Sequence, residues 1–218
     1  MSVLRLDNVS FKYEKNNKLV IKDLSFEFEK GKIYAIVGKS GAGKTTLLSL
    51  LAGLIKPTSG TIYLDGEDTK NRDMYTYRSK DVGVIFQSFN LLPKLTAAEN
   101  VVLSMDVSGK KYKNKKKTAM ELLEKVGLDG EEANRRILKL SGGQQQRVAI
   151  ARALSYEPEV ILADEPTGNL DGETQNEILD IFRRLAVEEN KCVIIVTHSP
   201  EVTEVADVVY EIKKTGKK

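Results

Sequence analysis

The sequence predicts an α/β fold: a mostly parallel sheet with helices on both faces, an N-terminal antiparallel β subdomain and an inserted helical subdomain. Three observations predict it. The runs at residues 33–37, 160–163 and 193–197 are almost uninterruptedly apolar, as strands covered on both faces must be. Helical patterns separate these runs, which calls for a parallel sheet. The first thirty residues instead alternate: Val9, Phe11 and Tyr13, then Leu24, Phe26 and Phe28, sit between polar neighbours, the mark of half-buried antiparallel strands.

Along the chain, Asn16-Asn17 reads as a turn between the first two strands. The run at 33–37 leads into a glycine-rich segment and then a helix over 44–54, where Leu47, Leu50, Leu51 and Leu54 share one face. Val84-Ile85-Phe86 is a short strand closed by Gln87. Residues 88–155 carry helical patterns and no convincing strand. Ala119, Leu122, Leu123 and Val126 recur at helical spacing there, and Gly127 is placed to stop that helix. This stretch is expected to be inserted into a core made of 1–87 and 156–218. Its basic run at 110–117 has lysine at six of eight positions. It reads as a solvated helix start or loop, the sharper alternative being contact with anionic lipid headgroups. Residues 208–212 read as an edge strand.

Composition narrows the class. The 218 residues suffice for one well-buried core, and 41% hydrophobic with 30% charged residues is ordinary for a globular protein. No apolar run approaches the roughly 20 residues needed to span a bilayer, and the first residues carry no signal-peptide pattern. A single cysteine, Cys192, excludes an internal disulfide and fits a reducing cytosol. It adjoins an apolar run and is expected to be a buried structural thiol. The net charge of +3 is too small to argue for nucleic acid.

Chemistry concentrates in a few places. Gly38-Lys39-Ser40-Gly41-Ala42-Gly43-Lys44-Thr45 lies between an apolar strand and a helix. Glycines there let successive backbone N–H groups turn inward, and the helix start adds its partial positive charge, so the segment suits a triphosphate. Lys44 is then placed to bridge the β- and γ-phosphates, and Thr45 to offer its hydroxyl to Mg²⁺; Thr46 is counted with the loop. Asp164 ends a buried strand and is expected to hold Mg²⁺ through water, with Glu165 directly after it.

Leu140-Ser141-Gly142-Gly143-Gln144 decides between kinds of phosphate-loop protein. With the loop upstream and Val160-Ile161-Leu162-Ala163-Asp164-Glu165 downstream, the chain resembles the ATP-binding cassette ATPases from end to end. The resemblance implies a P-loop NTPase, RecA-like core and an ATPase with ATP and Mg²⁺ as its cofactors. It implies that Glu165 polarises the attacking water as general base, that His198 contacts the γ-phosphate, and that Gln87 reaches Mg²⁺ and the water from a lid loop. Lys44 completes the catalytic set; Thr45, Gln87 and Asp164 are the metal residues. Tyr13 matches the aromatic that stacks on adenine. Ser141, Gly142, Gly143 and Gln144 would bind the γ-phosphate of ATP held by a second copy, so that a head-to-tail homodimer encloses two ATP molecules. Asp171, in Gly168-Asn169-Leu170-Asp171, would couple the two sites and partner His198.

Two stretches, Gln87-Ser88-Phe89-Asn90-Leu91-Leu92-Pro93-Lys94-Leu95-Thr96-Ala97-Ala98-Glu99-Asn100-Val101 and Ala163-Asp164-Glu165-Pro166-Thr167-Gly168-Asn169-Leu170-Asp171, resemble the lipoprotein-releasing and macrolide-export branch. That implies a separate integral-membrane permease with a large extracytoplasmic domain, a cytoplasmic position on the inner face of the membrane, and export, peptide resistance or mechanical work. The surface of 89–95 would receive the permease. Ser199 stands where many members have aspartate, and Arg136-Ile137-Leu138-Lys139 lacks a common proline. The lysine-rich end leaves no regulatory C-terminal domain expected. The rival reading is a soluble clamp acting on ribosome or DNA; such proteins usually carry two cassettes or long coiled-coil insertions, and this sequence has neither.

Overall fold

The computed structural model describes residues 2–14 and 18–215; the turn expected at Asn16-Asn17 lies outside them. Strands β1 (Ser2–Phe11) and β2 (Ile21–Glu29) pair antiparallel, with Leu4 opposite Phe28 and Leu6 opposite Phe26. Strand β4 (Ser59–Leu64) takes the other side of β1, and the two-residue β5 (Glu67–Asp68) completes the order β2-β1-β4-β5. The alternation expected through Tyr13 breaks before it gets there. The register shifts beyond Leu6, Asn8 turns left-handed at φ 49°, and Val9, Ser10 and Phe11 are all buried in succession. An extra residue at a bulge resets which face the strand presents. Tyr13 falls past the strand end and is 47% exposed.

The second sheet is parallel throughout. Its strands are β3 (Lys32–Val37), β6 (Val82–Ile85), β7 (Val160–Asp164), β8 (Cys192–Val196) and β9 (Val208–Glu211), in the order β6-β7-β8-β3-β9. Every residue of β8 is buried. Because β7 and β3 flank β8, the loops leaving their carboxyl ends converge, which is where open α/β sheets place ligands.

Helix α1 (Lys44–Leu51) covers one face. Its Leu47, Leu48, Leu50 and Leu51 join Tyr34, Ile36, Leu162, Ile194 and the inner side of the antiparallel sheet in one apolar cluster. The helix ends earlier than the leucine spacing suggests: Gly53 takes a left-handed φ of 64°, a common helix terminator, and Leu54 is 52% exposed rather than on the buried face. A single turn, α2 (Met74–Thr76), precedes β6. The opposite face carries α3 (Ala97–Ser108), α4 (Lys115–Lys125), the single turn α5 (Gly130–Ala133), α6 (Gly142–Leu154) and α7 (Gly172–Val187). These pack with Ile33, Ala35, Ile161, Ala163, Val193 and Ile195 in the other cluster. The helices α3 to α6 thus share a core with the sheet. Helix α8 (Pro200–Val205) leads to β9.

Cys192 is buried, and burial pushes its thiol up to about 12. In the basic run, Asn114 caps α4, while Lys110 pairs with Glu157, Lys115 with Asp106 and Lys117 with Glu121. No helix among the described residues is long and apolar enough to cross a membrane.

Candidate functional site

A cleft of about 720 Å³ opens at the carboxyl ends of β3, β7 and β8. The whole loop from Gly38 to Thr46 lines it, joined by Gln87, Asp164, Glu165, His198 and Val20. Local sequence explains the loop. A Cβ on Gly38 would sit 2.6 Å from the Ile212 carbonyl, so no side chain fits there. Gly43 caps α1 at φ 101°, a conformation glycine takes without strain. No side chain caps α1 and no acid occupies its first turn, which leaves its leading N–H groups and partial positive charge facing the cleft. The Lys44 Nζ donates to the Gly38 carbonyl at 2.8 Å, folding the ammonium into the loop.

Two carboxylates stand opposite. Burial, and then the negative Glu165 beside it, push the Asp164 carboxyl above the ordinary carboxylate range; a hydrogen bond from Thr45 and the charge of Lys44 pull the other way. Glu165 is held at three points. Its Oε2 accepts from the Thr197 hydroxyl at 3.0 Å and from the His198 N–H at 3.2 Å, and its Oε1 lies 2.7 Å from His198 Nδ1. Its own backbone is left-handed at φ 45°, with its N–H donating to the Val196 carbonyl at 2.8 Å. The end of β8 therefore aims the carboxylate of β7's successor. The side chain is 11% exposed whereas that of His198 is 73% exposed, so the imidazole is the part open to an incoming group.

Thr45, Asp164 and Gln87 all line the cleft and present hydroxyl, carboxylate and amide oxygens, the hard donors that magnesium takes. Among the described residues no group of three or more His, Cys, Asp or Glu could hold a metal unaided. That donor set fits Mg²⁺ sharing its coordination with phosphate oxygens and water. Tyr13 lies at the margin, its hydroxyl 3.1 Å from Thr46 Oγ1 and its ring edge-on to Phe11 at 4.9 Å.

Ser141, Gly142, Gly143 and Gln144 are elsewhere: none of them lines this cleft. They build the start of α6, where Ser141 Oγ accepts from the Gln144 N–H at 3.2 Å and Gln144 Oε1 accepts from the Ser141 N–H at 2.8 Å. The second helix start abuts the segment around Asp171. A Cβ on Gly143 would lie 2.5 Å from Thr174 Cγ2, and Thr174 gives both its N–H and its hydroxyl to Asp171 at 3.0 Å. Those bonds hold the Asp171 carboxyl below the usual range. Within one chain His198 bonds Glu165 and Asp171 bonds Thr174.

Sequence reasoning passed over several contributors. Val20 enters the cleft from the approach to β2 and belongs to no motif. Thr197, fully buried, anchors Glu165; its place at a strand end beside His198 is the signal that could have found it. Ser199 caps α8 with its hydroxyl and accepts from Gln175 Nε2 at 3.2 Å.

The comparisons bear on all of this. The family profile described as ABC transporter matches residues 21–168. YclH of Bacillus subtilis, an uncharacterized ABC transporter ATP-binding protein, is 45% identical over 95% of this chain and 92% of its own. LolD of Rickettsia bellii, a lipoprotein-releasing system ATP-binding protein, is 39% identical over 97% and 95%. Among solved structures, the dimeric ATP-binding cassette MJ0796, in a post-hydrolysis state bound to ADP and Pi, superposes with a TM-score of 0.88 at 35% identity, covering 99% of this chain and 97% of that one.

Proposed function

Because this chain belongs to the ABC transporter family, as an ATP-hydrolysing subunit of the lipoprotein-releasing and macrolide-export branch, we propose a working unit of two copies that close head to tail around two ATP molecules. One observation carries the proposal: a single chain holds a phosphate cradle with its water-polarising carboxylate, and a second prepared helix start that lines no part of that cradle.

In this reading the loop from Gly38 to Thr46 surrounds the triphosphate, with Lys44 leaving the Gly38 carbonyl for the phosphates. Tyr13 lies against the base. Thr45, Asp164 and Gln87 hold Mg²⁺, which when bound screens the charge on the phosphate oxygens. Glu165, fixed by Thr197 and His198, takes the proton of the attacking water. His198 meets the γ-phosphate. Ser141, Gly142, Gly143 and Gln144 meet the γ-phosphate of the partner copy, and Asp171 reports between the sites. Residues 88–155 act as a helical unit against the core of 1–87 and 156–218.

The permease partner, in this reading, carries a large extracytoplasmic domain, and the subunit sits on the cytoplasmic face of the membrane. Transport takes the form of export or mechanical work. Leu92, 48% exposed beside Phe89 and Leu91 that pack against the core, offers the contact within 89–95.

The test is Glu165→Gln with Mg-ATP. Hydrolysis is expected to slow by about 10²-fold or more, what a general base contributes, while light scattering records a stable dimer. A monomer at saturating ATP would remove the two-copy unit. The same variant, tagged and recovered from gently solubilised membranes, should bring down a permease with few helices and a large external domain. A many-helix permease would overturn that part of the reading.

A further inference from the structure

Two consecutive residues that are not glycine, Phe89 and Asn90, stand in the left-handed region at φ 60° and 51°. Asparagine tolerates this backbone, but a bulky ring resists it. The turn follows Gln87 directly and is closed by Phe89 N–H donating to the Phe86 carbonyl at 3.0 Å and Asn90 N–H to the Ser88 carbonyl at 2.6 Å. Such short local bonds do not by themselves select a left-handed pair.

The selecting contact comes from the last turn of α6. Arg152 donates from Nη2 to the Phe89 carbonyl at 2.8 Å and from Nη1 to the Asn90 carbonyl. Burial pushes this guanidinium below the usual arginine range, and the Tyr156 phenol opposes that shift. A half-buried cation met by two successive carbonyls fixes both peptide planes at once, which the planar fork of arginine allows and a lysine ammonium does not. The same helix starts with the capped residues Ser141 and Gln144.

We propose that Arg152 is a positioning residue: it locks the left-handed turn and so sets the direction from which Gln87 enters the cleft. Helix α6 is then a rod with the partner-facing residues at one end and the Gln87 turn at the other. The inference rests on Gln87 acting in the cleft, as set out above.

Arg152→Lys keeps the charge and the stem but surrenders the fork. The kcat of the ATPase is expected to fall about tenfold, the size of a lost hydrogen bond to a charged group, with the Kd for ATP unchanged. Adding Asn90→Gly, which takes left-handed backbone freely, should recover most of that loss. Unchanged kcat in Arg152→Lys, a loss that Asn90→Gly does not relieve, or a parallel loss of ATP affinity would each overturn the proposal. If Arg152→Lys does not fold, Asn90→Val at this exposed position resists the left-handed turn with the arginine intact; it should show the same kcat-only loss, and normal kcat there would overturn the proposal. Gln87→Ala in the same assay separates the two readings. A drop in that variant with none in Arg152→Lys removes only the arginine's role, whereas no drop removes Gln87 from the chemistry and the inference with it.

Discussion

The chain contains two glycine-rich helix starts of similar outline, and they are finished differently. At α1 the cap is Gly43, no side chain satisfies the leading N–H groups, and a lysine follows at once. At α6 the cap is Ser141, and a reciprocal pair of bonds with Gln144 satisfies both residues' N–H groups before any ligand arrives. An uncapped helix start leaves its orphan donors to water or to an anion. A capped one is already folded and offers hydroxyl, residual amides and dipole from a rigid frame. In the proposed two-copy unit, the first start is completed by the nucleotide and the second meets a nucleotide held by the other copy.

The sharpest way to break this contrast is at the first site. Lys44→Ala should weaken ATP binding by about tenfold to a hundredfold, the range of a lost charge-assisted contact, measured by titration calorimetry. Normal affinity there would mean that the loop is not the cradle. At the second site, Gly143→Ala places a methyl 2.5 Å from Thr174 Cγ2, on a threonine already tied twice to Asp171. The cost of such overpacking is about 1–3 kcal/mol, read by urea denaturation, and ATP affinity of the single chain should stay as it was. Ser141→Ala removes the cap together with the hydroxyl proposed to meet the partner copy's phosphate, and the lost cap should cost about 1 kcal/mol of stability. Its ATP-driven dimer should weaken while single-chain affinity holds; a fall in single-chain affinity would erase the distinction between the two starts.

The smallest effect concerns pH. Asp164 has a folded pKa raised by burial and by Glu165 above its ordinary 3.8. Between those two values the folded chain keeps a proton that the unfolded chain has lost, so stability falls as pH rises through that window. Asp164→Asn should therefore raise Tm at neutral pH, and the gain should vanish once the solution is acidic enough to protonate the carboxylate in both states. A gain independent of pH would show that burial and charge are not its cause.

What could be read beforehand follows from how local each cause is. The parallel strands declare themselves by unbroken apolar runs, and the first loop by glycines between a strand and a helix. The end of α1 at Leu51 turns on Gly53, one residue whose conformation outweighed a leucine spacing that pointed on to Leu54. The bulge near Asn8, which carries Tyr13 past the end of β1, leaves no trace in an alternating pattern. The grip of Thr197 on Glu165 and of Arg152 on the turn after Gln87 joins residues 32 and 63 positions apart. Such pairings arise only when the sheet and α6 have folded.

The parallel sheet divides the apolar interior in two. Tyr34, Ile36, Cys192, Ile194 and Val196 point into the cluster beneath α1, while Ile33, Ala35, Val193 and Ile195 point into the one shared with α3, α6 and α7. A single wall papered on both sides lets each room be refurnished without disturbing the other. A substitution that repacks the cluster around α3 and α4 should therefore leave Leu47 and Leu50, under the glycine-rich loop on the other side of the sheet, packed as before.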